Sequence, residues 1–123
     1  MYRISTERHQ KALEYAMSII ENSPVNKYIS AIWLYGSCAR DEQELHSDVD
    51  LLVELDISEE KLHDIRYDVL YLKGMASPPA ATAPEVDIKI ALKRRWMKEN
   101  SFFYNNVRKD GKLLRLREKE EED

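Results

Sequence analysis

Hydrophobic residues in this chain of 123 residues follow two different periods, and their alternation along the sequence predicts a mixture of helices and strands. Apolar residues three or four positions apart predict amphipathic helices at residues 5–21, 58–74 and 94–109, the last broken near Asn100. Short runs rich in β-branched and aromatic residues predict strands at residues 28–35, 49–55 and 85–92, and a short edge strand at 112–116. Between the first two strands, residues 38–44 are expected to form one or two helical turns.

The order of these elements predicts an α/β (α+β) fold, in which a small mixed β-sheet carries helices packed mainly on one face. A chain of this length has room for one domain with a modest core, and we expect that domain to span residues 1–117. Residues 118–123 are almost entirely acidic. They are expected to form a disordered, solvated tail.

Composition narrows the class of protein further. With 43% hydrophobic and 34% charged residues, the chain resembles globular proteins and not disordered or membrane proteins. No apolar run approaches the ~20 residues of a membrane helix and no signal peptide is recognisable, so we expect a cytoplasmic protein without membrane contact. The net charge of −4 does not indicate a nucleic-acid partner. The single cysteine, Cys38, is interpreted as a small residue packed in a turn.

Two aspartates, Asp48 and Asp50, stand where the second predicted strand begins. In an extended strand residues two positions apart point to the same side, about 6–7 Å apart. Two unpaired charges at that distance repel by roughly 2–3 kcal/mol at an effective dielectric near 20, which favours a cation such as Mg²⁺ as their partner. If the pair stood alone, a capping aspartate followed by a strand-edge aspartate would be a sufficient explanation without a metal ion. Asp87, on the polar side of the third strand, makes a shared metal site the stronger hypothesis.

Gly36 and Ser37 end the first predicted strand. A turn that binds phosphate needs glycine so that the backbone can approach the anion, and it needs free backbone N–H groups. Gly36 and Ser37 meet both needs, although most Gly-Ser pairs are ordinary turns.

Together these features resemble the minimal nucleotidyltransferase (MNT) branch of the DNA polymerase β-like nucleotidyltransferase superfamily. The family motif is an apolar strand, Gly-Ser, a loop, Asp-x-Asp on the next strand, and a third aspartate flanked by apolar residues. This chain matches it with Gly36-Ser37, Asp48-Val49-Asp50 and Asp87, and Arg40 matches an arginine common after the family's Gly-Ser. One departure is Asp41, which stands where family members often carry glycine.

The resemblance implies a polymerase β-like fold and two-metal transfer of an NMP group, AMP above all, from ATP or another NTP to a hydroxyl. Asp48, Asp50 and Asp87 would be both the catalytic residues and the ligands of two Mg²⁺ ions. Gly36, Ser37 and Arg40 would contact the phosphates of the nucleotide.

The resemblance also implies a partner, because MNT proteins commonly pair with small all-helical HEPN proteins in toxin–antitoxin modules. The chain would then act as the antitoxin, with exposed apolar residues of its first or last helix as the interface. Two alternatives stay open: a binding-only antitoxin with residual nucleotide binding, and a small-molecule nucleotidyltransferase of the aminoglycoside type. A homo-oligomer is also compatible with the sequence, and nucleic acid is not expected as a direct partner.

The remaining polar and aromatic residues are interpreted conservatively. His9 and His63 are predicted at the surface of helices, and His46 in a solvated loop. Lys89 could approach a phosphate or form an ion pair with Asp87. Three aromatic residues near the last helix, Trp96, Phe102 and Phe103, are expected in the core and not in a base-stacking platform, because the sequence does not place them near the carboxylates.

Overall fold

A computed structural model describes residues 2–117 of the protein. Its helices are α1 (Glu7–Glu21), α2 (Glu59–Asp64), α3 (Arg66–Met75), α4 (Lys93–Trp96) and α5 (Phe102–Asp110), with a short 3-10 helix at Pro24–Tyr28. Its strands are β1 (Ile29–Tyr35), β2 (Val49–Leu55), β3 (Val86–Leu92) and β4 (Lys112–Leu116). The predicted acidic tail at 118–123 lies outside the described residues.

The four strands form one mixed sheet in the order β3-β2-β1-β4. β1 and β2 are the two central strands; β1 is antiparallel to both β2 and β4, whereas β2 and β3 are parallel. A parallel pair needs a crossover connection, and α2 and α3 supply it. The predicted mixed α/β fold is therefore confirmed.

The sheet separates two hydrophobic cores of very different size. The larger core lies beneath α1 and α3, and Leu13, Ile20, Leu51 and Leu72 are among its fully or almost fully buried members. The smaller core lies on the opposite face, beneath α4 and α5, and consists of Leu52, Ala91, Trp96 and Val107. Helices thus pack mainly on one face, as predicted, and the two short C-terminal helices cover the other.

Two segments differ from the sequence prediction. The helix predicted from Ser58 to about Gly74 is divided at Ile65, where φ is −100° and ψ is 15°, so that α2 and α3 are separate helices. Residues 38–44 do not form a helix: residues 38–41 lie in hydrogen-bonded turns and residues 42–44 have no regular secondary structure. The break near Asn100 is confirmed, because the Ser101 side chain accepts a hydrogen bond from the Tyr104 N–H and caps α5.

Along the described residues, none of the helices is both long enough and apolar enough to cross a membrane.

Candidate active site

The carboxylates of Asp50 and Asp87 belong to one row of residues that crosses the sheet. Asp50 pairs in register with Asp87 on the parallel strand β3 and with Tyr35 on the antiparallel strand β1. Residues in register on neighbouring strands point to the same face. Because Leu51 and Ile88 enter the larger core, the three residues of the row face the opposite side of the sheet, where α4 and α5 pack.

The ionised form of Asp50 is disfavoured by its surroundings in this row. Burial, reinforced by the negative charges of Asp87 and Asp48, raises the pKa of Asp50 from 3.8 to about 6. The Lys89 ammonium lies 3.5 Å from Asp87 Oδ2, and its positive charge opposes that rise. Of the two roles predicted for Lys89, the ion pair with Asp87 is confirmed, and its approach to a phosphate stays a prediction.

Gly36 has a backbone conformation and surroundings that favour glycine. Its φ is +73°, and a Cβ at this position would overlap with Asp50 Oδ2. The Gly36 carbonyl accepts hydrogen bonds from the N–H groups of Ala39 (3.1 Å) and Arg40 (3.3 Å), which close the turn. Glycine therefore lets the turn lie directly against the Asp50 carboxylate.

The start of this turn offers free hydrogen-bond donors. Within residues 2–117, the backbone N–H groups of Ser37 and Cys38 donate to no protein acceptor. Adjacent unpaired N–H groups in a tight turn form a concave site that favours an anion. The position that the sequence predicts for phosphate binding thus has the required donors beside Asp50.

The side chain of Arg40 is directed elsewhere. Its Nε donates to Glu42 Oε1 at 2.7 Å, and both side chains are exposed. This hydrogen bond is the main reason that the pKa of Arg40 lies above its usual value. The predicted phosphate contact of Arg40 would require this ion pair to open, and it stays a prediction.

Asp48 lies in the exposed loop just before β2. Its backbone carbonyl is 3.5 Å from the Cys38 Sγ, which donates a weak hydrogen bond to it. Cys38 itself is buried, and its burial raises the pKa of the thiol to about 11. The interpretation of Cys38 as a small residue packed in a turn is confirmed.

His9 contradicts its predicted surface position. The side chain is buried, its Nδ1 lies 2.7 Å from Thr6 Oγ1, and its Nε2 lies 3.0 Å from the Ser47 carbonyl oxygen. Because Ser47 precedes Asp48, His9 ties α1 to the loop that carries this carboxylate. His9 precedes Ala12 and Leu13 by three and four residues, so its place on the buried stripe of α1 was a signal in the sequence.

The acidic residues can be compared with the needs of a metal ion. No group of three or more His, Cys, Asp or Glu side chains within residues 2–117 is arranged so that it could hold one. The donors are nevertheless of the right chemical kind, because Asp50 and Asp87 bring hard carboxylate oxygens together beside an anion-favouring turn. The metal role of Asp48, Asp50 and Asp87 stays a prediction that this donor set fits.

Tyr35 is a residue of the site that the sequence did not reveal. Its phenol stands beside Asp50 in the row, and burial, with the charges of Asp50 and Asp87, raises its pKa. The Phe103 ring meets the Tyr35 ring at 90°, with 5.3 Å between centroids. The sequence predicts Phe102 and Phe103 in the core, which is wrong, because the structure leaves them 84% and 37% exposed.

A buried carboxylate joins the sheet to α4 on the same face. Glu54 Oε1 accepts a hydrogen bond from Trp96 Nε1 at 2.8 Å, and Glu54 Oε2 accepts one from Ser30 Oγ at 2.7 Å. Trp96 is almost fully buried, as the sequence predicts, and its ring packs against Tyr104 of α5. These contacts fix the position of the helices that flank the row of Tyr35, Asp50 and Asp87.

Comparison with known proteins gives a consistent result. The family model described as "Polymerase beta, Nucleotidyltransferase" matches residues 17–120, which is most of the chain. A crystal structure from Sulfolobus solfataricus, of a protein assigned provisionally as a nucleotidyltransferase, superposes with a TM-score of 0.62. The match covers 95% of this chain and 91% of the other at 19% sequence identity, so it supports the fold alone. No curated protein matches the sequence.

Proposed function

The chain belongs to the Polymerase beta nucleotidyltransferase family, and from that premise we propose that it transfers an NMP group, AMP above all, from an NTP to a hydroxyl acceptor. The observation that carries this proposal is the position of Asp50. It pairs with Asp87 across the sheet and lies against the Gly36 turn, so carboxylate oxygens and free backbone donors meet at one place. A nucleoside triphosphate bound with a divalent cation needs both kinds of group.

In the proposed reaction the acceptor oxygen bonds to the α-phosphorus, the bond from this phosphorus to the bridging oxygen of the β-phosphate breaks, and pyrophosphate leaves. Asp48, Asp50 and Asp87 would hold two Mg²⁺ ions, which when bound neutralise charge on the phosphates and on the attacking oxygen. Gly36 lets the phosphates approach the backbone, and the Ser37 hydroxyl and N–H orient them. Asp87 accepts the proton of the acceptor hydroxyl.

The test is a labelling assay with α-labelled ATP and Mg²⁺. The chain is co-expressed with the product of its neighbouring reading frame, and label is sought on either protein and on small molecules. We expect label with the wild type and at least a 100-fold loss with Asp50→Asn and Asp87→Asn. Asp56→Asn serves as the control, because Asp56 is an exposed carboxylate just after β2. Label that persists in both site variants would contradict the assignment.

A second candidate function is binding to a partner protein. Four large apolar side chains on one side of α3, each between 41% and 70% exposed, form what we term the α3 surface: Tyr67, Leu70, Tyr71 and Met75. Their spacing of three, four and eight residues is that of a helix face that packs on another helix. The sequence predicts the interface on the first or the last helix: α1 exposes no large hydrophobic side chain, whereas α5 exposes Phe102 and Phe103, and this prediction stays open.

We propose that the α3 surface binds a small helical protein of the HEPN type, with this chain as its antitoxin. Exposed contiguous apolar surface of this kind is typical of protein–protein interfaces. The burial of Cys38, the single cysteine, is compatible with the reducing cytoplasm in which such a pair would act.

One set of variants distinguishes binding of the partner protein from catalysis. Leu70→Asp should abolish co-purification with the neighbouring gene product, whereas Lys11→Asp, a change at an exposed position of α1, should not. Asp50→Asn should keep the complex and lose the label. A complex that forms normally without any label would favour the binding-only antitoxin, and a complex unaffected by Leu70→Asp would place the interface elsewhere.

A further inference from the structure

We propose that Phe103, supported by Tyr35, is the stacking surface for the base of the bound nucleotide. This inference rests on the function proposed above and adds a subsite to it. Phe103 is 37% exposed although its ring packs against two other aromatic rings, those of Tyr35 and Tyr104. Because the Phe103 ring lies next to the row of Tyr35, Asp50 and Asp87, its exposed part is available to a nucleotide bound there.

The position of Phe103 follows from the register of the sheet. Tyr35, Asp50 and Asp87 lie side by side on three neighbouring strands and face α5. Neighbouring strands lie about 4.8 Å apart, so Tyr35 is one strand from Asp50 and about 10 Å from Asp87. The Phe103 ring contacts the Tyr35 ring, so it lies within one aromatic ring of the residue that neighbours Asp50. In the proposed complex the α-phosphate lies beside Asp50, the base lies on Phe103, and the ribose lies between them, next to Tyr35.

Phe103 is also held in place, as a stacking surface must be. Its ring lies 5.4 Å from the Tyr104 ring, which in turn lies 5.7 Å from the Trp96 ring. Trp96 is buried and hydrogen-bonded to Glu54, and Arg108 donates to the Trp96 carbonyl oxygen at 2.6 Å. The aromatic ring is therefore positioned before any ligand binds, which reduces the entropy cost of stacking.

Phe102 provides an internal comparison. It precedes Phe103 on the same helix and is 84% exposed, yet its ring is in none of the aromatic pairs of the described residues. A helix turns by about 100° per residue, so neighbouring side chains point in different directions. Phe102 thus matches Phe103 in chemistry and is also exposed, but it lacks the contact with Tyr35.

The test compares two ligands that share the phosphate chain. Calorimetry measures binding of Mg²⁺–ATP and of Mg²⁺–tripolyphosphate, which lacks base and sugar, to the wild type and to Phe103→Ala, Phe103→Leu and Phe102→Ala. Loss of one stacked base should weaken ATP binding about 10-fold in both Phe103 variants. Tripolyphosphate binding should stay unchanged in all of them, and Phe102→Ala should bind both ligands like the wild type.

A direct reading of stacking completes the experiment. The triphosphate of 2-aminopurine riboside, whose fluorescence is quenched by stacking, should be quenched by the wild type and by Phe103→Tyr but not by Phe103→Leu. Leucine keeps the apolar volume if the alanine variant fails to fold. ATP binding that is equal in the wild type and Phe103→Leu would overturn the inference alone. If the wild type binds neither phosphate ligand, the proposed function fails and this inference fails with it.

Discussion

Asp50 and Asp87 lie directly opposite each other on the parallel strands β2 and β3, with their side chains on the same face of the sheet. Asp50 is partly buried there, and desolvation together with the charge of Asp87 raises its pKa to about 6. An arrangement that raises a carboxyl pKa by this amount opposes folding at neutral pH, because the charged form is less stable in the folded protein than in the unfolded chain.

The first prediction concerns this pH dependence in the absence of divalent cations. The pKa of Asp50 in the folded protein exceeds its unfolded value of about 3.9. Protonated Asp50 therefore contributes its full stability below about pH 4, and this contribution is lost as the pH rises through 6. At pH 7.5 the free energy of unfolding of Asp50→Asn should exceed that of the wild type by about 1–2 kcal/mol, and at pH 4.5 by much less. The figure includes a reduction for solvent screening, because Asp50 is only partly buried.

Urea denaturation with EDTA at the two pH values measures this difference, and Asp56→Asn is the exposed control. Added Mg²⁺ should narrow the gap, because a cation that binds the folded wild type stabilises it. A difference between Asp50→Asn and the wild type that is the same at both pH values would contradict the electrostatic account of the row.

The second prediction concerns Gly36. Alanine there must adopt a left-handed conformation and would overlap with Asp50 Oδ2, so Gly36→Ala should cost about 2–3 kcal/mol in the free energy of unfolding. In an Asp50→Ala background the steric part disappears, and the cost should fall to about 1–2 kcal/mol. Gly74→Ala is the matched control, since nothing lies within 4 Å of its added Cβ and α3 should gain about 0.5–1 kcal/mol. Equal effects at the two glycines would refute the close approach of Gly36 to Asp50.

The third prediction concerns Asp41, which stands where the family often has glycine. Its φ is +56°, in the left-handed region, which costs residues other than glycine about 1–2 kcal/mol. Its carboxylate accepts hydrogen bonds from Ser5 Oγ and Gln43 Nε2, which both Asp41→Gly and Asp41→Ala would remove. Asp41→Ala should therefore be about 1 kcal/mol less stable than Asp41→Gly in thermal or urea unfolding. Two variants of equal stability would show that the left-handed backbone relaxes at no cost.

The elements that local pattern specifies were predictable. The alternation of Val86, Ile88 and Ile90 identified β3 and placed Asp87 on its other side, and the two predicted aspartates of the row do lie in register. This works because the faces of a strand are set by the backbone geometry of the strand itself.

Features that depend on which segments meet in space were not predictable in the same way. The contact between Phe103 and Tyr35 depends on α5 covering the smaller core, and periodicity does not say which face of the sheet a helix will cover. The division at Ile65 is likewise invisible in an apolar pattern that continues through it. The polarity of His9 favours the surface, whereas its position on the buried stripe of α1 favours burial, and the structure shows that the position decides.

The last prediction tests the buried hydrogen bond from Trp96 Nε1 to Glu54 Oε1, which anchors α4 to the sheet. Trp96→Phe removes the donor to Glu54 Oε1 and leaves a buried carboxylate with less compensation, so it should cost about 2–3 kcal/mol in the free energy of unfolding. Trp33→Phe is the control, because Trp33 Nε1 is buried without a hydrogen-bond partner among residues 2–117. Its loss should cost at most about 1 kcal/mol.

The Glu54 charge provides the decisive comparison. Glu54→Gln, which removes the charge but keeps an acceptor for Trp96, should destabilise the wild type yet stabilise the Trp96→Phe variant, because a neutral amide needs less compensation in a buried position. A double-mutant cycle from urea denaturation measures this change of sign. If Glu54→Gln has the same effect in both backgrounds, the hydrogen bond does not compensate the charge. Helices α4 and α5 would then be positioned by apolar packing of Trp96, Tyr104 and Phe103 alone.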